Sequence, residues 1–282
     1  MGKVCASPET IAARLGKSWD KVARLTDEHT TAVQSWLPTR TPQAARFEGV
    51  GVVAGSSGIP VPLLNLALGS RYPPGTSDEL IDAEIEAVKA FFADWGVPWY
   101  WLLGPFARPP DMAGRLERHG LTFDRPPLPA MAAPLPAPFP PLNPEVQVWL
   151  AAGRADLEVA STIRRIAFRF PEGVALDYFA AISDDWLKGD PARLYLARLP
   201  DGPPAAIGAL VMGAGMPGVY AMATLPDYRC RGLGKAILAR ILTDATAGGH
   251  SLIALTAGEL GYPLYRQFGF EHIFDYSIYR LA

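Results

Sequence analysis

In the second half of the chain the apolar positions change period again and again. Residues 146–150 (VQVWL) alternate apolar and polar as a strand does, and residues 157–168 space their apolar positions as a helix does. Residues 175–187 read as a second helix. Strands at 194–197 and 206–212 flank Asp201-Gly202, a pair that accepts the left-handed backbone of a hairpin turn. Residues 219–225 form the next strand, ended by Pro226. Residues 234–247 form an amphipathic helix with Ile237, Leu238, Ile241, Leu242 and Ala245 on one face, stopped by Gly248-Gly249. A strand at 252–256, a short helix at 260–268 and a last strand at 273–281 follow. The order β-α-α-β-β-β-α-β-α-β is an antiparallel meander that runs into a βαβ unit.

The first half carries a fainter copy of that ending. Residues 62–68 read as a strand, and 79–92 as a helix with Leu80, Ile81, Ile85, Val88, Phe91 and Phe92 facing inward. A strand at 99–103 and a short helix at 112–119 come next. Leu116, Gly120 and Leu121 fall beside Tyr265, Gly269 and Phe270 of the second half, which points to an internal duplication. Trp95, Trp99, Tyr100 and Trp101 cluster here, as core or as the wall of a pocket.

Nine prolines between residues 126 and 144 separate the halves, and at that density neither a helix nor a central strand is expected. The segment reads as a partly extended connector, with residues 131–133 a last edge strand of the first lobe. The division is therefore 1–134, a linker at 135–144, and 145–282.

Composition narrows the function. The chain of 282 residues is 49% hydrophobic and 19% charged, enough for packed cores. A net charge of −2 argues against nucleic acid or an anionic membrane as partner. No run approaches the ~20 apolar residues of a membrane span, and the N-terminus lacks a signal-peptide core. A soluble, cytoplasmic protein is expected. Two cysteines, Cys5 and Cys230, and four scattered histidines offer neither a disulfide framework nor a metal site.

The chemistry gathers at residues 224–235, TLPDYRCRGLGK. A strand ends, a short loop holds Arg229-x-x-Gly232-x-Gly234, and a helix begins at once. Glycines let the backbone bend tightly and approach a ligand. Free N–H groups and about half a positive charge at a helix start suit a phosphate or diphosphate. Arg229, Arg231 and Lys235 add charge. A Walker loop is excluded because Arg229 and Ala236 stand where it needs Gly and Ser or Thr. A dinucleotide fingerprint is excluded because Ile237 takes the place of its third glycine.

This segment resembles the acetyl-CoA signature of the GCN5-related N-acetyltransferase (GNAT) superfamily. Gly261-Tyr-Pro-Leu-Tyr265-Arg-Gln-Phe-Gly269-Phe270 resembles that superfamily's closing helix. The resemblance implies an α/β chain of the α+β type, with two GNAT-like lobes, each a mixed, mostly antiparallel sheet flanked by helices. It implies acetyl-CoA as cosubstrate, held by backbone of Met222, Ala223 and Thr224 along the pantetheine arm. Arg229, Cys230, Arg231, Gly232, Leu233, Gly234 and Lys235 would hold the diphosphate. It makes Tyr265 the acid for the departing thiolate. With a pKa of about 10 against roughly 8.5 for a thiol, that step needs a lowered tyrosine pKa or a water relay. The family's strand glutamate is missing from 219–224, so Glu259 is the candidate base, or else a first-turn carboxylate that favours the helix dipole. Cys230 is a bystander within the loop.

The first lobe lacks the motif. Thr76 and Glu79 have capping-box spacing, and Asp78, Glu79 and Asp82 would repel a diphosphate. Leu116 stands where the second lobe has Tyr265. A degenerate lobe without CoA is expected. The implied activity is acetyl transfer to a primary amine of a small molecule or peptide, by a monomer or homodimer. The alternatives are a non-catalytic acetyl-CoA sensor and a tandem acetyltransferase similar to mycothiol synthase.

Overall fold

The computed structural model describes residues 9–41, 43–170, 183–189 and 191–281. Two compact units account for it. Among the described residues, unit 1 takes those up to 30, from 129 to 170 and from 183 to 274, and unit 2 takes those from 31 to 128 and from 275 onward.

In unit 1 the strands are β6 (Gln147–Leu150), β7 (Ala192–Arg198), β8 (Ala206–Gly213), β9 (Met216–Thr224) and β10 (Leu252–Thr256). Neighbours from β6 through β9 are antiparallel; β9 and β10 are parallel. The hairpin turn lies where Asp201-Gly202 places it, with Asp201 at φ +56 and Gly202 N–H bonded to Leu199 O at 3.1 Å. Helix α5 (Arg154–Ala167) precedes β7, as does α6 (Ser183–Leu187). Residues 175–182 of the expected second helix lie outside the described residues.

Helix α7 (Leu233–Ala247) packs Ile237, Leu238, Ile241, Leu242 and Ala245 into a core with Leu210, Val219, Ile253 and Leu255. Helix α8 (Tyr262–Gln267) adds Tyr265 to the same core, with Phe268 and Phe270 behind it.

In unit 2, β1 (Ala45–Glu48), β2 (Val52–Ser56) and β3 (Asn65–Gly69) form an antiparallel meander. Strand β4 (Tyr100–Leu103) runs parallel to β3, through Leu66↔Tyr100 and Ala67↔Trp101. Between them lies α3 (Asp78–Trp95), and after β4 comes α4 (Met112–Arg118). The succession antiparallel, antiparallel, parallel matches unit 1, so both lobes have the expected mixed, mostly antiparallel sheet. The strand expected at 62–68 starts later, because Pro62–Leu64 is a 3-10 turn. Leu80, expected inside, is 45% exposed, while Glu84 is buried. Its carboxylate accepts N–H groups from Val50, Gly51 and Val52 at 2.7–3.0 Å and so holds the β1–β2 turn. Trp99, Tyr100 and Trp101 are buried; Phe92 stacks on Trp99 at 4.5 Å, so this cluster is largely core.

Each unit is completed by a strand from the other half of the sequence. Residues 130–134 of β5 (Leu121–Pro134) pair antiparallel with β10. Residues 277–279 of β11 (Glu271–Leu281) pair antiparallel with β4. The division 1–134, 135–144 and 145–282 thus divides the chain but does not follow the compact units. The expectation that no central strand crosses the proline-rich stretch is corrected. Prolines keep their carbonyls, and Pro129 O accepts Ala257 N–H at 2.8 Å, while residues 130–133 supply the missing donors.

Nor is 135–144 a free connector. Leu135 and Ala137 are buried in the unit 1 core, and Phe139 stacks on Phe268 at 6.2 Å.

The sequence reading missed α1 (Glu9–Leu15) and α2 (Trp19–Trp36). In α2 the buried positions include Thr26, Asp27, His29 and Thr30, which erases an apolar stripe. The Thr26 and Thr30 hydroxyls donate to carbonyls one turn back, at 2.9 Å each, and are thereby satisfied inside the protein.

Candidate active site

Strand β9 pairs with β8 along its length but with β10 only at Gly218↔Ala254. Beyond that bridge, residues 219–224 have no strand partner on the side away from β8 among the described residues. Near its middle Ala221 sits at φ +51, and the β8 register slips between Ile207 and Ala209. This is a β-bulge, which re-aims backbone groups and interrupts the side-chain alternation. Val219 and Met222 consequently both join the α7 side. A non-glycine residue in the left-handed region is strained, and such strain concentrates at functional sites.

The chain then turns through Pro226–Tyr228 into the loop. Cys230 at φ +61 and Gly232 at φ +93 alternate with ordinary backbone. The helix cap, Gly232, offers no side chain, and the first turn of α7 holds no acid. Among the described residues, no protein acceptor meets the N–H groups of residues 230–235. Six adjoining donors without partners, on a helix N-terminus, make an anion cradle. Asn143 Nδ2 donates to Arg231 O at 3.3 Å and braces the loop from the proline-rich segment. Arg229 Nε reaches back to Thr224 O at 3.4 Å, and the Arg231 guanidinium lies 5.5 Å from the Tyr228 ring centre. A Cβ on Gly234 would meet nothing nearer than 3.7 Å, so space is left over the amides. Cys230 is a free, exposed thiol.

Tyr265 is 7% exposed and packs against Phe270 at 5.8 Å. Its ring crosses Gly261, where a Cβ would stand 2.8 Å from Cε2. Burial raises its pKa, so the phenol stays protonated and the lowered value one form of the acid role requires is not found. Leu264, one residue earlier, lies beside Gly234 and ties α8 to the start of α7. Glu259 lies exposed in the turn before α8.

Unit 2 fills the matching places with its own atoms. Past β3, Arg108 N–H donates to Ser70 O at 2.7 Å and Arg108 O accepts Tyr72 N–H at 3.3 Å, so this edge is already paired. Ser77, rather than the expected Thr76, caps α3: its hydroxyl accepts Leu80 N–H at 3.3 Å, while Thr76 donates to Pro73 O at 2.8 Å. Arg115 of α4, nearly buried, bonds to Asp78, to Asp82 at 3.2 Å and to Asp111 at 3.1 Å.

Residues 214–273 match the family model of the acetyltransferase (GNAT) domain. A solved GCN5-related N-acetyltransferase from Kribbella flavida is similar over 93% of this chain and 95% of its own, with TM-score 0.68 and 22% identity. One from Sphaerobacter thermophilus is similar over 82% and 80%, with TM-score 0.62 and 16% identity. A tandem GNAT protein from the clavulanic acid biosynthesis pathway is similar over 98% and 96%, with TM-score 0.60 and 15% identity. No curated protein matches in sequence. The match to the acetyltransferase (GNAT) domain thus covers residues 214–273, and the chain as a whole shares the fold of solved GNAT proteins, one of them of tandem form. No helix among the described residues is long and apolar enough to cross a membrane.

Proposed function

We propose that unit 1 binds acetyl-CoA and transfers its acetyl group to a primary amine of a small molecule or peptide. The observation that carries this is the join between an unpaired strand edge, 219–224, and the partnerless amides of 230–235. Met222, Ala223 and Thr224 pair with the amides of the pantetheine arm as a strand would. Arg229, Cys230, Arg231, Gly232, Leu233, Gly234 and Lys235 surround the diphosphate, through backbone N–H groups and the charges of Arg229, Arg231 and Lys235. A main-chain N–H at the Ala221 bulge faces the thioester oxygen, where one such donor is worth about 2.7–4 kcal/mol.

The amine nitrogen attacks the thioester carbon, and the C–S bond breaks as the tetrahedral intermediate collapses. Tyr265 gives its proton to the sulfur as that bond breaks. Its raised pKa makes the phenolate short-lived, and the proton lost by the nitrogen returns to it through water. Glu259, at the open end of β10, takes the amine proton where the acceptor arrives as ammonium. Holding both substrates side by side supplies about 7–11 kcal/mol of the barrier.

Unit 2 binds no CoA in this reading. The Arg108 backbone takes the edge of β3, and Ser77 and the Arg115 cluster take the start of α3. Titration calorimetry with CoA and acetyl-CoA, joined to release of CoA thiol over a panel of amines, tests both parts. One CoA per chain and amine-dependent thiol release are expected. Two CoA per chain overturns the silent unit, and no binding overturns the site.

A further inference from the structure

The open edge of β9 has a closed end. At Gly218, where β9 and β10 still pair, the imidazole of His29 packs directly on the glycine. A side-chain carbon there would collide with His29 Nε2 and stand 2.8 Å from Cε1 and 2.9 Å from Ala254 O. Tyr220, two residues on, places its ring 5.8 Å from the imidazole. Gly218 and Tyr220 both turn toward α2, whereas Val219 and Met222 pack with α7.

His29 is fully buried and firmly held. Its Nδ1–H donates to Gly213 O at 3.0 Å, which leaves Nε2 as a bare lone pair; among the described residues it has no hydrogen-bond partner. The Tyr220 hydroxyl is likewise buried, with the Thr30 hydroxyl beside it. Two rings, one of them carrying the unmatched His29 Nε2, therefore stand at the end of the slot farthest from the diphosphate loop.

The open edge, residues 219–224, spans about 20 Å at ~3.3 Å per residue. A pantetheine arm laid along it from the loop at 230–235 brings its sulfur to the Ala221 bulge. The acyl group then points at Tyr220 and Gly218. We propose that His29 and Tyr220 form an acyl-length stop, which admits an acetyl group and rejects longer acyl chains. This deepens the proposed function and rests on its placement of CoA. A longer chain has to displace a buried ring or push methylenes against two polar atoms, and both are costly.

Binding of free CoA, acetyl-, propionyl- and butyryl-CoA to the full chain by calorimetry tests the stop without knowledge of the acceptor. The intact protein is expected to weaken by about tenfold or more from acetyl- to butyryl-CoA, the range a methylene or two commands in a closed pocket. His29→Ala should erase most of that difference and leave free CoA binding as before. Tyr220→Leu, which keeps an apolar side chain, should do the same in part. Equal affinities of the intact protein for acetyl- and butyryl-CoA overturn the stop whatever the variants do. So does a folded His29→Ala that keeps the full discrimination. Failure to bind even free CoA overturns the placement of the cosubstrate itself, and the stop falls with it.

Discussion

The ring of Tyr265 lies across the backbone of Gly261, four residues earlier on the same turn. A Cβ on Gly261 would come within 2.8 Å of Cε2, 3.2 Å of Cζ and 3.3 Å of the hydroxyl. Real Cβ atoms essentially never approach so closely, so the glycine sets where the phenol stands. Gly261→Ala should displace the ring. Turnover is expected to fall toward that of Tyr265→Phe, about 10²-fold below the intact protein, with CoA affinity nearly unchanged in both. Steady-state kinetics beside calorimetry check this, and a Tyr265→Phe variant as fast as the intact protein refutes the acid role.

A Cβ on Gly234 would make only ordinary contacts, 3.7 Å from Leu264 Cδ2 and 3.7 Å from Thr224 Oγ1, above the free amides of α7. Gly234→Glu fits the unliganded fold but sets a carboxylate in the anion cradle. Loss of CoA binding with a melting temperature within a few degrees of the intact protein is expected. Gly232 differs, because at φ +93 with Asn143 Cβ 3.1 Å from its own Cβ position, substitution there should also lower stability.

His29 predicts a pH dependence of stability. Burial lowers its pKa from 6.5 to about 4, against smaller raising contributions from the carbonyls of Gly213 and Met216. Between those values the unfolded chain binds the proton and the folded chain does not. Stability from this group therefore rises with pH from about 4 to about 6.5 and is level above. The integrated loss on acidification is about 3 kcal/mol. Urea unfolding at pH 7, 5.5 and 4 should show it, and His29→Gln should flatten that part of the profile.

In unit 2, Arg115 joins the first turn of α3 to α4. Arg115→Met removes the bonds to Asp78, Asp82 and Asp111 and leaves three carboxylates close together. Those carboxylates are 40–73% exposed, so screening limits the cost to about 1–2 kcal/mol. A lower melting temperature is expected, and the number of CoA bound per chain should stay at one, because Arg108 still occupies the edge of β3.

The fold of the second half was legible because its signals are local. Strand, proline, arginine, two glycines and helix follow one another within residues 219–247, and backbone conformation there is decided by neighbours in sequence. Tyr265 was placed by the same logic, through its spacing to Gly269-Phe270. His29 gave no such signal. It lies nearly two hundred residues from Gly218, on a helix whose buried face is partly polar, and only packing brings the two together. Arg108 was hidden for a related reason, since it acts through backbone atoms that every residue possesses.

From the sequence alone came the two lobes, most of the strands and helices from residue 62 onward, and the glycine-rich turn into α7 with Tyr265 on the helix that follows β10. These depend on periodicity and turn chemistry over stretches of a few to fifteen residues. Only the tertiary structure decided that β5 would complete the sheet of the second half and β11 that of the first. It also decided that Glu84, Arg115 and Arg108 would occupy unit 2 from within, and that His29 would close the slot in unit 1. Each of those is a choice of partner between distant segments, and a hydrogen-bonding edge or a buried face carries no mark in sequence of which segment will cover it.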